Sequence, residues 1–227
     1  MTLWKKLLFT GLVLGGIFLS NNQIRESFVP KQKKTLEEVL YDSKQTQLRN
    51  LDPRYEFSKK DLQKFNYWID STLAESAQNN TNSIIIDKSD YALYLIKNGE
   101  VDSRYNIELG KPYGDKEKQG DGRTPEGMYK ITWKRDKGQT SFYRAFLLDY
   151  PNKEDRAKGK TGESIEIHGW GSGKPGNKGG HNWTKGCPAT SRKDMDTLFN
   201  YIEEKDRVTT VRYTDKILNP NYIKLLR

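Results

Sequence analysis

Apolar positions follow three different patterns along the chain. The first is a block: Met1-Thr2-Leu3-Trp4-Lys5-Lys6 precedes Leu7 to Leu19, apolar or small throughout apart from Thr10. A positive start before about 13 apolar residues fits an export signal better than a membrane-spanning helix, which needs about 20. Ser20-Asn21-Asn22-Gln23 offers no small-x-small cleavage site, so residues 1–22 are expected to be a cleaved signal or a retained anchor. The second pattern is helical. Thr35-Leu36-Glu37-Glu38 reads as a capping box with Leu36, Val39 and Leu40 on one face, and Asp52-Pro53 breaks it. Ser58 and Asp61 open another helix, in which Leu62, Phe65, Ile69 and Leu73 recur until the polar run Gln78 to Asn82. Residues 23–81 are therefore expected to be a helical, membrane-proximal region, laid on the next domain or spacing it from a membrane.

From residue 83 the period becomes two. Ser83–Asp87, Tyr91–Lys97, Val101–Leu109, Met128–Trp133, Arg144–Tyr150, Ser164–His168 and Val208–Tyr213 are short β-branched or aromatic runs parted by turn residues such as Asn98-Gly99. These seven runs predict a mostly β domain, a sandwich or barrel, over residues 82–213, with 214–227 as a tail. One helix interrupts it: Ser191 is a good N-cap, and Met195, Leu198, Phe199 and Ile202 share a face.

Charge and composition narrow the function. The chain of 227 residues carries 39 Lys+Arg against 30 Asp+Glu, a formal charge of +9. Residues 1–34 hold six basic residues and one acid, so +5 belongs to the N-terminal arm and only +4 to the rest. No nucleic-acid-binding module is recognisable, and an export signal argues against such a partner. One cysteine and two histidines exclude a disulfide framework and the usual zinc spacings. No structural zinc is expected.

The one cysteine carries the chemical argument. A lone thiol is a liability in an oxidising compartment unless it is buried or used. Cys187 lies in Thr184-Lys185-Gly186-Cys187-Pro188, a polar turn poorly suited to burying a hydrophobe. Between His168 and Lys193 stand Lys174, Lys178, Lys185, Arg192 and Lys193 with no acid, which predicts a thiol pKa below the usual value of about 8.5. A thiolate acting on an acyl group needs a base. His168 closes the alternating run Ser164-Ile165-Glu166-Ile167-His168 ahead of a glycine-rich loop that returns to the cysteine, and is the stronger candidate. His181, inside that loop, is expected to touch substrate instead. Seven glycines in 26 residues suggest that the loop closes over substrate, with Trp170 and Trp183 flanking it.

His168-Gly169, fifteen residues from Gly169 to Trp183, then Thr184-Lys185-Gly186-Cys187 together resemble the signature of the YkuD-type L,D-transpeptidases. Thr124-Pro125-Glu126-Gly127 resembles that family's turn into a strand, and Tyr91 to Gly99 its opening hairpin; the resemblance covers roughly residues 82–212. It implies an L,D-transpeptidase catalytic domain that attacks peptidoglycan stem peptides, donor and acceptor, through a cysteine thioester in the periplasm or cell envelope, with an envelope lipoprotein as acceptor in some members. Carried over, Cys187 is nucleophile and His168 base. The Gly169 carbonyl orients the imidazole, and backbone amides at Gly186 and Cys187 form the oxyanion hole. Thr184, Lys185, His181, Trp183 and Thr190 are the expected substrate contacts. The sequence departs from the family in having Lys185 where histidine is frequent, and Pro188-Ala189-Thr190 where arginine or asparagine often follows the cysteine. A hydrolytic member of the family and a non-catalytic wall-binding module are the alternatives. A sortase is disfavoured because its Thr-Leu-x-Thr-Cys strand is missing, and a papain-like protease because its cysteine context is absent.

Overall fold

The computed structural model describes residues 58–170, 183–214, 216 and 218. The arm of residues 1–22, the helix expected at Thr35, the loop residues Lys174, Lys178 and His181, and most of the tail lie outside them. Among the described residues no helix is long and apolar enough to cross a membrane.

Helix α1 (Lys59–Asn79) begins as its sequence predicts. Ser58 Oγ accepts the Asp61 N–H at 3.1 Å and the Asp61 carboxylate accepts the Ser58 N–H at 3.1 Å, a reciprocal capping box. Asn80 ends the helix in the left-handed region at φ 52°. Eight strands follow: β1 (Asn82–Asp87), β2 (Ala92–Lys97), β3 (Glu100–Asn106), β4 (Gly127–Arg135), β5 (Ala145–Leu148), β6 (Glu166–Gly169), β7 (Ala189–Thr190) and β8 (Arg207–Val211). Two more helices, α2 (Lys153–Ala157) and α3 (Arg192–Tyr201), lie between β5 and β6 and between β7 and β8. The sheet order is β3-β2-β1-β8-β4-β5-β6-β7. Only β1 with β8 and β6 with β7 run parallel.

Alternation along β1 and β2 explains why Ile84-Ile85-Ile86 is apolar without a break. Ile84, Ile86, Leu93 and Leu95 enter the main core with Tyr129, Phe146, Ile167, Met195 and Leu198. Ile85, Tyr94 and Ile96 point the other way, where Leu62, Phe65 and Ile69 of α1 cover them. Full burial of Phe65 and Ile69 contributes about 1.5–3 kcal/mol each, so α1 is held to this sheet by its apolar stripe.

The seam of the curled sheet positions the site. The run expected to stay a strand as far as Leu109 leaves the ladder at Asn106 and crosses to the opposite edge. There Glu108 and Ala189 exchange both backbone bonds at 2.8 Å, and Leu109 O accepts the Thr184 N–H at 3.1 Å. The first strand edge and the cysteine loop thus meet, and the sheet nearly closes on itself.

Candidate active site

The β6–β7 register sets the segment that carries Cys187 beside the strand that carries His168. His168 pairs with Ala189, and its N–H donates to Pro188 O at 3.0 Å. The same offset sets Glu166 beside Cys187, whose Sγ accepts the Glu166 N–H at 3.4 Å. The Cys187 thiol in turn points at Ser164 O, 3.7 Å away.

The turn before the cysteine is shaped by close backbone approaches. Gly186 has φ +126°, and a Cβ there would lie 2.6 Å from Arg123 O, so only glycine fits. Gly110 is equally confined: its Cβ would fall 2.0 Å from Gly122 O and 2.9 Å from Gly186 Cα. The Thr124-Pro125-Glu126-Gly127 block therefore backs the cysteine loop through Arg123 and Gly122.

His168 is 1% exposed. Its Nδ1 lies 3.2 Å from Gly169 O, and a carbonyl can only accept, so Nδ1 carries the proton and Nε2 is left as the basic nitrogen. Phe142 stacks on the ring with centroids 3.6 Å apart and 10° between planes, and Trp183 meets it edge-on at 6.4 Å. Burial lowers the His168 pKa to about 4, the Gly169 bond offsetting part of that effect. The imidazole is neutral across the physiological range.

The thiol departs from expectation. Burial raises the Cys187 pKa above its ordinary value; the bond from the Glu166 N–H opposes the rise and the Glu166 carboxylate adds to it. Among the described residues the cation bearing on it is Lys116, from the loop that leads into the Thr124 block. Lys185 is exposed, Arg192 bonds Trp170 O at 3.1 Å, and Ser191, the N-cap of α3, comes only after β7. Alkylation of Cys187 in the free protein should therefore show a midpoint above the usual cysteine range; a midpoint below it would restore the pre-formed thiolate.

The structure sorts the remaining residues. Gly169 O meets the imidazole as expected. The Gly186 N–H donates to Thr184 Oγ1 at 3.2 Å, inside the turn. The Cys187 N–H has no acceptor among the described residues. Thr184 is 7% exposed and serves the turn. Thr190 is 0% exposed and its hydroxyl donates to Asn106 O at 3.1 Å, so it braces the seam. Trp183 is 40% exposed beside the imidazole and remains available to substrate. Sequence reasoning missed Phe142, Ser164, Glu166 and Arg135. The Arg135 guanidinium pairs with Glu166 at 2.6 Å, and burial raises the Glu166 pKa although Arg135 and Thr140 pull it down. The alternating run that ends at His168 was the one signal for Glu166. Among the described residues no group of three or more His, Cys, Asp and Glu side chains could hold a metal ion.

A neutral imidazole and a neutral thiol on adjacent segments can perform proton-coupled nucleophilic attack, in which the base takes the thiol proton as the sulfur adds to a carbonyl. The chain spans about a third of the curated relative it matches, YafK of Escherichia coli strain K12, with 30% identity over 89 residues, 39% of this chain and 32% of that protein. Among solved structures, the helical cell shape determining protein Pgp2 from Campylobacter jejuni is 28% identical, with 66% of this chain and 56% of that one covered and a TM-score of 0.48. An L,D-transpeptidase from Xylanimonas cellulosilytica is 18% identical, with 58% and 60% covered and a TM-score of 0.42. The model of the YkuD L,D-transpeptidase catalytic domain matches residues 81–210, more than half of the chain, and the protein belongs to that family.

Proposed function

We propose that this domain is a cysteine acyltransferase of the cell envelope, an L,D-transpeptidase that acts on peptidoglycan stem peptides. The observation that supports it most is a neutral, carbonyl-anchored His168 on β6, paired with the β7 strand that follows Cys187, inside a YkuD domain. In the first half-reaction Cys187 Sγ adds to the scissile carbonyl of the donor stem as His168 Nε2 accepts the thiol proton. The Cys187 N–H faces the developing oxyanion. Collapse breaks the C–N bond, His168 returns the proton to the departing amine of the terminal residue, and a thioester remains. An amine of a second stem then attacks it, His168 again moving the proton; an envelope lipoprotein amine would serve in the same place. Water in place of that amine gives hydrolysis, the second reading. Export through residues 1–22, as signal or anchor, would deliver the domain to this substrate.

Digestion of wall material after incubation with the purified protein, followed by mass spectrometry, tests the proposal. New cross-linked dimers are expected for transfer and shortened monomers for hydrolysis. Absence of both, with no mass increase on Cys187 from a stem peptide or a carbapenem, would leave only a binding module.

A further inference from the structure

A bulge between Ile131 and Trp133 turns the end of β4 over. Before it, Ile131 pairs with Leu148 and both lie in the main core. After it, Trp133 pairs with Leu147 and Arg135 with Ala145, and the same rows continue to Glu166 and His168 on β6. Paired residues share a face, so Trp133, Arg135, Glu166 and His168 stand together on the side away from Phe146 and Ile167.

On that face Arg135 NH1 donates to Glu166 Oε1 at 2.6 Å, and the guanidinium lies 4.2 Å from the Trp133 ring centroid. The N–H of the same Glu166 touches Cys187 Sγ. Glu166 therefore links the two, its N–H meeting the thiol and its carboxylate the guanidinium. The Arg135 side chain is 24% exposed, and its Nε is buried with no hydrogen-bond partner among the described residues. Held at one corner by Glu166 and backed by Trp133, the planar fork stays on the face of β6 that carries His168, with its Nε uncommitted.

We propose that Arg135 binds the terminal carboxylate of the donor stem peptide, with Glu166 as its positioning residue. The assignment rests on the stem-peptide reading and adds the group that selects the donor. In a donor that ends in a free amino acid, the carboxylate stands only a few bonds beyond the carbonyl that Cys187 attacks. The residues directly after the cysteine cannot supply this contact, because Pro188, Ala189 and Thr190 are all buried. Arginine fits a carboxylate in a two-pronged geometry that lysine lacks.

The test compares kcat/KM of the full-length protein for a tetrapeptide donor with a free C-terminus and for the same donor as its C-terminal amide. The wild-type protein should favour the acid by about 10- to 100-fold. Arg135→Gln combined with Glu166→Gln, which strands no buried charge, should erase that preference, mainly through KM for the acid. Arg135→Lys, the milder variant, should keep part of the preference. An acid-to-amide ratio unchanged in both variants, equal wild-type rates on the two donors, or loss of discrimination in Lys185→Ala instead would overturn the assignment. If neither donor acylates wild-type Cys187, the stem-peptide reading itself fails and takes this assignment with it.

Discussion

Replacing Cys187 by Ala should abolish acylation by any donor, and replacing His168 by Gln should slow it by about 10²–10⁴-fold while circular dichroism stays native. The second figure follows from the state of the pair at rest. Burial holds the thiol protonated, so attack has to await a base, and the imidazole that serves as base is itself kept neutral. Its pKa sets the acid limb of kcat/KM. A base with a folded pKa of about 4 works above that value and is lost as the pH falls through it, so the limb should lie near pH 4 rather than 6.5. Phe142→Ala, which uncovers the ring, should move the limb upward. His181→Ala should chiefly raise the donor concentration required. A His168→Gln protein with wild-type rates above pH 6.5, or an inactive His181→Ala beside an active His168→Gln, would show the base to be misassigned.

The legible parts of this protein were those written in local pattern. Ser58 with Asp61 and Ser191 with Asp194 mark helix starts through side-chain bonds to nearby backbone, and the structure forms them. The cysteine and histidine motifs and the Thr124 block could be read because each is contiguous, though only the fold shows that Arg123 O packs on Gly186. What could not be read depends on register between distant segments. Strand β7 is two residues long and exists because β6 and the Glu108 segment border it. Helix α2 is a single capped turn after Asn152, too short for periodicity to reveal. Cations near Cys187 in sequence gave the wrong direction for its pKa because burial of the thiol outweighs them. Arg135 escaped notice for a similar reason: counting by twos through a bulge assigns it to the wrong face. Lys88, in the turn between β1 and β2, is 1% exposed, which no local pattern signals.

That lysine leads to the largest expected effect on stability. Lys88 Nζ donates to Glu126 Oε1 at 3.0 Å, to Gly114 O at 2.6 Å and to Thr124 O at 2.9 Å, and Arg212 closes on both oxygens of Glu126 at 2.9 and 3.0 Å. Both side chains of the Lys88–Glu126 pair are 1% exposed. Burial works to raise the Glu126 pKa, but Lys88 and Arg212 outweigh it and hold the carboxyl below its ordinary range. For Lys88 burial wins and lowers the pKa, although Glu126 opposes it. Glu126→Ala would leave an ammonium without its counter-charge where water does not reach, which costs about 3–5 kcal/mol. For a domain of this size that corresponds to a fall in Tm of roughly 6–20 °C. The damage should also reach the site, since Thr124 receives Lys88 on its carbonyl and the Gly110 N–H on its Oγ1 at 3.0 Å, and Gly110 packs on Gly186. Replacing Lys88 by Met and Glu126 by Gln together, which removes both charges, should recover much of the lost stability, because the penalty comes from the stranded charge more than from the missing pair. Urea unfolding of the three proteins decides the matter: a Glu126→Ala midpoint shift worth less than about 1 kcal/mol would mean that water reaches Lys88 and that the network is not the brace of the cysteine loop.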